Sequence, residues 1–149
     1  MITSAYWEAE DLAIEGNKDL TVETNLRNEF LIDRLPFFKS KGYTVNLVYM
    51  LLPDLQTSTD RVGLRVAQKG HFIDNESIKY NFEEGLIMLK KHFNKFDNVK
   101  IVGSSLDNRP SLPKTFLTLK NNHIHFINSS IPSWAKPLLD EIVQKLTTN

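Results

Sequence analysis

Arg61 and Arg65 stand four residues apart in RVGLRVAQKGH, Lys69 follows four further on, and His71 comes directly after Gly70. On a helix this spacing puts the three cations in one row. Two guanidinium forks so placed can each grip a pair of anionic oxygens, which makes successive phosphates a natural guest. Phosphoryl transfer needs such a row, because the protein mainly positions the group and neutralises charge spread over its oxygens. The same spacing also describes a solvated helix face beside Asp60, where arginines contribute little. His71 either hydrogen-bonds a phosphate or places a cation near a helix end.

A second candidate cluster is Glu23, Thr24 and Asn25. A carboxylate next to a hydroxyl at the end of a strand can hold a substrate hydroxyl or a metal-bound water. Alternatively, Thr24 or Asn25 caps the helix that follows. His123 and His125 alternate with Ile124 and so share one side of a strand, but no third zinc ligand stands at a readable spacing. They read as polar-face histidines, and no metal site is expected. Phe93 and Phe96, which flank a helix end beside His92, and Trp134 read as core residues. The chain has no cysteine and no serine, histidine and aspartate arrangement that suggests a nucleophilic triad.

These residues need elements to hold them. Ser4 to Gly16 predicts a helix with Ser4 as N-cap and Gly16 as stop. Leu20 to Thr24, LTVET, predicts a short buried strand. From Asn28 to Lys41, Phe30, Leu31, Leu35 and Phe38 recur at helical spacing, with Pro36 as a point where the helix can kink. Tyr43 to Leu52 is almost wholly apolar, the pattern of a strand covered on both faces. Leu55 to Lys69 and Glu76 to Phe93 predict two further helices. Val99 to Gly103 predicts a buried strand, and SSLDNRPSLP a loop. Phe116 to Leu119 and His123 to Ile127 flank KNN as a hairpin, and Pro132 to Leu146 predicts an amphipathic closing helix. Strands alternating with helices imply an α/β layered domain with a mainly parallel sheet flanked by helices, plus a C-terminal hairpin and helix. Ligands of such sheets sit beyond the carboxyl ends of the strands. That rule selects Glu23 to Asn25, Pro53 to Asp54, and Ser104 to Ser105, with the cationic row following the second.

Composition sets the outer limits. At 149 residues, 41% apolar and 24% charged, the chain suits one globular domain at 1-149. Its 18 basic residues balance 18 acidic ones, so no net field draws it to nucleic acid or an anionic membrane. The absence of cysteine fits a reducing compartment. MITSAYWEAEDLAIEG lacks a signal-peptide pattern, and no apolar run approaches the roughly 20 residues of a membrane span. The expectation is a soluble, cytoplasmic protein.

The order VET, KGYTVNLVYMLL, RVGLRVAQKGHFIDNESIKYNFEEGL and VKIVGSS resembles the middle and C-terminal part of zeta-toxin-like P-loop kinases, from Leu20 to about Leu146. FLTLKNNHIHF and PSWAKPLL resemble bacterial relatives in that family that finish with a hairpin and a Trp-containing helix. The resemblance implies phosphorylation of a small-molecule hydroxyl, of the UDP-amino-sugar type, with ATP or GTP and Mg2+. It implies that Glu23, Thr24 and Asn25 lie on the substrate side of the cleft. It places Arg61, Arg65, Lys69 and His71 in a lid-like segment that reaches phosphates. Lys79, Tyr80 and Asn81 stand where the family often carries arginines, and no GxxxxGK[ST] occurs in the chain. The catalytic aspartate of the family lies in an upstream segment with no counterpart here, so no catalytic residue is assigned.

The chain is therefore expected to be inactive alone, as a fragment, a truncation or one part of a split assembly. Its sheet is expected to close by pairing LTVET with YTVNLVYMLL, or to accept a second chain, in a homodimer or with a different partner. The other class of reading is a non-catalytic interaction or regulatory protein derived from this fold.

Overall fold

A computed structural model describes residues 3–54, 59, 60, 63, 67, 74–103 and 113–148. Within them the chain forms α1 (Ser4–Glu15), α2 (Phe30–Ser40), β1 (Asn46–Leu51), α3 (Asn75–His92), a 3-10 turn (Phe93–Lys95), β2 (Asn98–Gly103), β3 (Lys114–Lys120), β4 (His123–Ile127) and α4 (Lys136–Thr147). The predicted helix over Leu55–Lys69 and the SSLDNRPSLP loop fall mostly or wholly outside the described residues. No helix among the described residues is long and apolar enough to cross a membrane.

Local chemistry accounts for the helix limits. The Asp74 carboxylate accepts from Ser77 N at 2.7 Å and caps α3, whose last turn carries Lys90, Lys91 and His92 toward the negative end of the helix dipole. The same bond, made with the charged form, holds the Asp74 carboxyl below its ordinary range. α2 runs on through Pro36 and buries Ile32, Leu35 and Phe38 along one stripe. α4 has a proline in its first turn and buries Leu139 and Ile142. At the other end of the chain, Thr3 rather than Ser4 occupies the N-cap position of α1.

The sheet is mixed, which corrects the expectation of a mainly parallel one. Its order is β1-β2-β3-β4; β1 and β2 are parallel, from Asn46↔Asn98 to Leu51↔Gly103, while β2-β3 and β3-β4 are antiparallel. The long connection through α3 allows a parallel return to β2. Asn121 and Asn122, both at positive φ (49 and 62°), close the β3-β4 hairpin with a two-residue turn that forces reversal.

LTVET is not a strand. Residues 21–25 are exposed, and of the five residues only Leu20 joins the core cluster. β-propensity reports a fit to a pleated, half-buried surface, and this run has no ladder to fit. The expected pairing of LTVET with the next strand is therefore absent, and among the described residues β1 has β2 as its one neighbour strand.

The helices cover one face of the sheet. Val99, Ile101, Leu117 and Leu119 meet Ile32, Leu89, Leu139 and Ile142 in a single core. Phe93 and Phe96 are buried there as expected, and Trp134 packs edge-on against Phe116 with ring centroids 5.8 Å apart. A register shift at Ile101/Val102 lets the consecutive Phe116 and Leu117 both be buried. Phe116 fills the space over Gly103, where an added Cβ would lie 1.9 Å from its ring. On the opposite face Val48, Lys100 and Phe126 are exposed.

α1 is clipped to α2 by charge and aromatic contacts. Arg34 pairs with the buried Glu10, and its guanidinium lies 4.4 Å from the Phe37 ring centroid and 5.4 Å from that of Trp7. Burial, with the Glu10 carboxylate beside it, pushes the Tyr6 hydroxyl up to about 12. The Tyr43 hydroxyl is within hydrogen-bonding range of the Ala13 and Lys18 carbonyls, at 3.1 and 2.9 Å.

Candidate functional site

The parallel pair β1-β2 puts Leu51 and Gly103 side by side at its carboxyl end. The cationic row lies in the connection that leaves β1, and Ser104–Ser105 follow β2. Arg61, Arg65, Lys69, His71, Ser104 and Ser105 all lie outside the described residues. What the structure does place is the segment from Glu23 to Glu29 and the side chains that hold it.

This segment turns sharply at Leu26, whose φ is +51°, a left-handed conformation that costs a branched, bulky residue about 1–2 kcal/mol. Two interactions compensate. The Thr24 hydroxyl oxygen accepts from Leu26 N at 3.0 Å, and the Leu26 side chain is buried in the core cluster. Thr24 is thus engaged in the turn itself rather than capping a helix. Glu23 and Asn25 remain exposed on either side of it. Backbone held in such a conformation against its intrinsic preference tends to occur at functional sites, where the surroundings fix it.

α3 supplies the surroundings. Its Gly85 lets two groups lie against the helix: a Cβ there would stand 2.9 Å from the Tyr49 hydroxyl oxygen and 3.0 Å from the Asn25 carbonyl oxygen. Tyr49, projecting from β1, has its hydroxyl pushed up to about 12 by burial. One β1 side chain, one carbonyl of the candidate segment and one helix face therefore meet at a single glycine.

Further along the same helix, Glu29 accepts from Lys91 Nζ at 2.9 Å, and its Oε1 lies 3.4 Å from His92 Nε2. The Lys91 bond, followed by His92, holds the Glu29 carboxyl below the usual glutamate range. His92 is 3% exposed, and neither ring nitrogen has a hydrogen-bond partner among the described residues. The segment is consequently held at two points, by the close approach of the Asn25 carbonyl at Gly85 and by the Glu29 contacts, with the Glu23 and Asn25 side chains exposed.

Glu23, Thr24 and Asn25 thus sit together on one constrained turn rather than at a strand end. Leu26, Glu29, Tyr49, Gly85 and His92 complete the arrangement and were not singled out from the sequence. Gly85 carried a signal, since a glycine inside an 18-residue helix costs about 1 kcal/mol relative to alanine and invites a close-approach explanation. Leu26 carried none, because nothing in its residue type announces a left-handed turn.

Other regions discriminate less. A cleft of about 460 Å3 opens at the amino ends of β1 and β2, between Lys39, Tyr43, Asp97 and Lys120. Asp97 there accepts from Val45 N at 2.8 Å and faces Lys39 at 3.6 Å, so its carboxylate serves the chain entry into β1. Ligands of α/β sheets sit at the opposite end. His123 and His125 are exposed, and among the described residues no group of three or more histidine or acidic side chains is placed to hold a metal. No protein-family model, curated protein or solved structure matches the chain.

Proposed function

We propose that this chain is the substrate-side portion of a nucleotide-dependent small-molecule kinase of the zeta-toxin-like type, acting on a hydroxyl of a UDP-amino-sugar-like substrate. In this reading a phosphate-binding strand must be set beside β1 before transfer occurs. The observation that carries it is β1 itself. NLVYML is apolar on both faces, the composition of a parallel strand covered on each side, yet among the described residues it pairs with β2 alone and leaves Val48 67% exposed on the outer face. A strand added next to it would bring its own loop to the carboxyl ends of β1 and β2, the end from which the chain leaves β1 toward the cationic row.

The residues present do not by themselves fit ATP or GTP with Mg2+. The chain has no GxxxxGK[ST] loop, and the described residues hold no cluster of three acidic or histidine side chains for a cation. The nucleotide cradle therefore belongs to the added strand, and no chemical step is assigned to this chain. Its own contribution is to orient the substrate hydroxyl through Glu23 and Asn25, with Thr24 holding their turn, and to neutralise phosphate through Arg61, Arg65, Lys69 and His71.

Thermal unfolding with and without ATP, GTP or UDP-N-acetylglucosamine tests the reading. Stabilisation by one of these ligands, lost in an Arg61→Ala/Arg65→Ala variant, is expected, together with no magnesium-dependent phosphate transfer by the purified chain. Stabilisation by none of them, alongside a stable homodimer or heterodimer, would instead support the non-catalytic interaction reading, which the exposed apolar residues of the outer sheet face favour.

A further inference from the structure

The four strands share a property that the balanced charge of the whole chain conceals. They carry Lys100, Lys114, Lys120, His123 and His125 and not a single aspartate or glutamate, although the chain holds 18 acidic residues. None of these five side chains is in an ion pair among the described residues. On the outer face, away from the helices, Lys100, Lys120 and His125 border a groove of about 230 Å3 that Asn46, Val48 and Thr118 also line.

That face ends at β4, HIHFI, which is exposed along its whole length. Ile124, Phe126 and Ile127 remain 43, 45 and 50% exposed, and among the described residues β4 pairs with β3 alone. Natural edge strands are ordinarily blunted by inward charges, prolines or cover, because their free amide and carbonyl groups template further pairing. β4 has no proline and no acidic residue.

We infer that β4 is a docking edge for an extended acidic segment of another polypeptide, which adds as a further strand and directs its carboxylates toward Lys120, His123 and His125. Main-chain pairing supplies affinity in such recognition, and the alternate side chains supply selectivity. Apolar residues of the segment rest on Phe126 or on Ile124 and Ile127, while its acids meet the cationic border. Charge decides between occupants. A second copy of this chain paired through β4 would offer no carboxylate to Lys120, since the four strands hold none. The surface is separate from β1, at the opposite edge of the sheet, and does not depend on the kinase reading.

The probe is a fluorescein-labelled peptide of alternating valine and glutamate, about eight residues long, a length within the usual range of strands. Its twin replaces glutamate with lysine, and a labelled oligothymidylate serves as a second anionic probe. Anisotropy titration should show the glutamate peptide binding at least about tenfold tighter than the lysine twin, with added salt weakening it. Amide hydrogen exchange should slow in β4 on binding. Lys120→Glu/His125→Glu changes two exposed side chains, and should reverse the preference between the peptides while leaving thermal unfolding of the free protein unchanged. Equal binding of the twins, undiminished binding to the double variant, slowed exchange elsewhere but not in β4, or tighter binding of the oligothymidylate overturns the inference. Dimerisation through β4 in sedimentation experiments would overturn it as well.

Discussion

Among the described residues that take the left-handed conformation without being glycine, those of two turns do so for opposite reasons. In the β3-β4 hairpin, Asn121 and Asn122 are residue types that tolerate positive φ, and the turn they make matches the twist of the strands they join. At the candidate site, Leu26 takes the same conformation without such tolerance and is held by burial, by the Thr24 hydroxyl and by what α3 packs against the segment. The first turn is set locally. The second exists because distant elements impose it, and it leaves Glu23 and Asn25 exposed on either side of Thr24.

That contrast can be broken by substitution. The largest effect is expected at Leu26→Ala, which keeps the unfavourable backbone while deleting the buried side chain that compensates it. A loss of about 2–4 kcal/mol in urea unfolding is expected, and a loss below about 1 kcal/mol would show that burial does not hold the turn. Gly85→Ala comes next. Alanine favours a helix interior, yet its Cβ would press on the Tyr49 hydroxyl and the Asn25 carbonyl, so a net destabilisation of about 1–3 kcal/mol is expected by the same measurement. Stabilisation would mean that the segment can withdraw from α3 at no cost.

Smaller effects sharpen the comparison. Thr24→Ala removes the acceptor for Leu26 N and should cost about 1 kcal/mol, whereas Asn122→Gly, at the locally determined turn, should change stability by no more than about 0.5 kcal/mol. The smallest is the acid limb of Glu29. Its folded-state pKa is depressed below the ordinary value of 4.5, so its contribution is fully present above that value and is lost as the pH falls through the lower folded value. Glu29→Gln should flatten this acid-side loss in a series of denaturation midpoints. An unchanged acid limb would separate Glu29 from the clamp.

The elements that proved legible were those whose signals are local. The capped and charge-polarised α3, the closing helix and the KNN hairpin follow from residue type and periodicity, and the structure has them within a few residues of the expected limits. LTVET failed because a short β-branched run becomes a strand only where a ladder receives it. The mainly parallel sheet failed because pairing direction depends on which connections cross the sheet, and β2-β3 reverses. At the candidate site, Glu23, Thr24 and Asn25 were readable as a carboxylate, a hydroxyl and an amide in sequence. That Glu29, Tyr49, Gly85 and His92 surround their segment was not, since up to 69 residues separate Glu23 from these partners.

The sequence by itself determined the closing helix, the hairpin and the charge balance, because these depend on residue identity and near neighbours. Only the tertiary structure decided that β1 and β4 are the outer strands of the sheet among the described residues, that Leu26 is forced into a left-handed turn and that Gly85 receives Tyr49 and Asn25. Those features arise where segments far apart in the chain compete for the same space, and no local propensity records which of them occupies it.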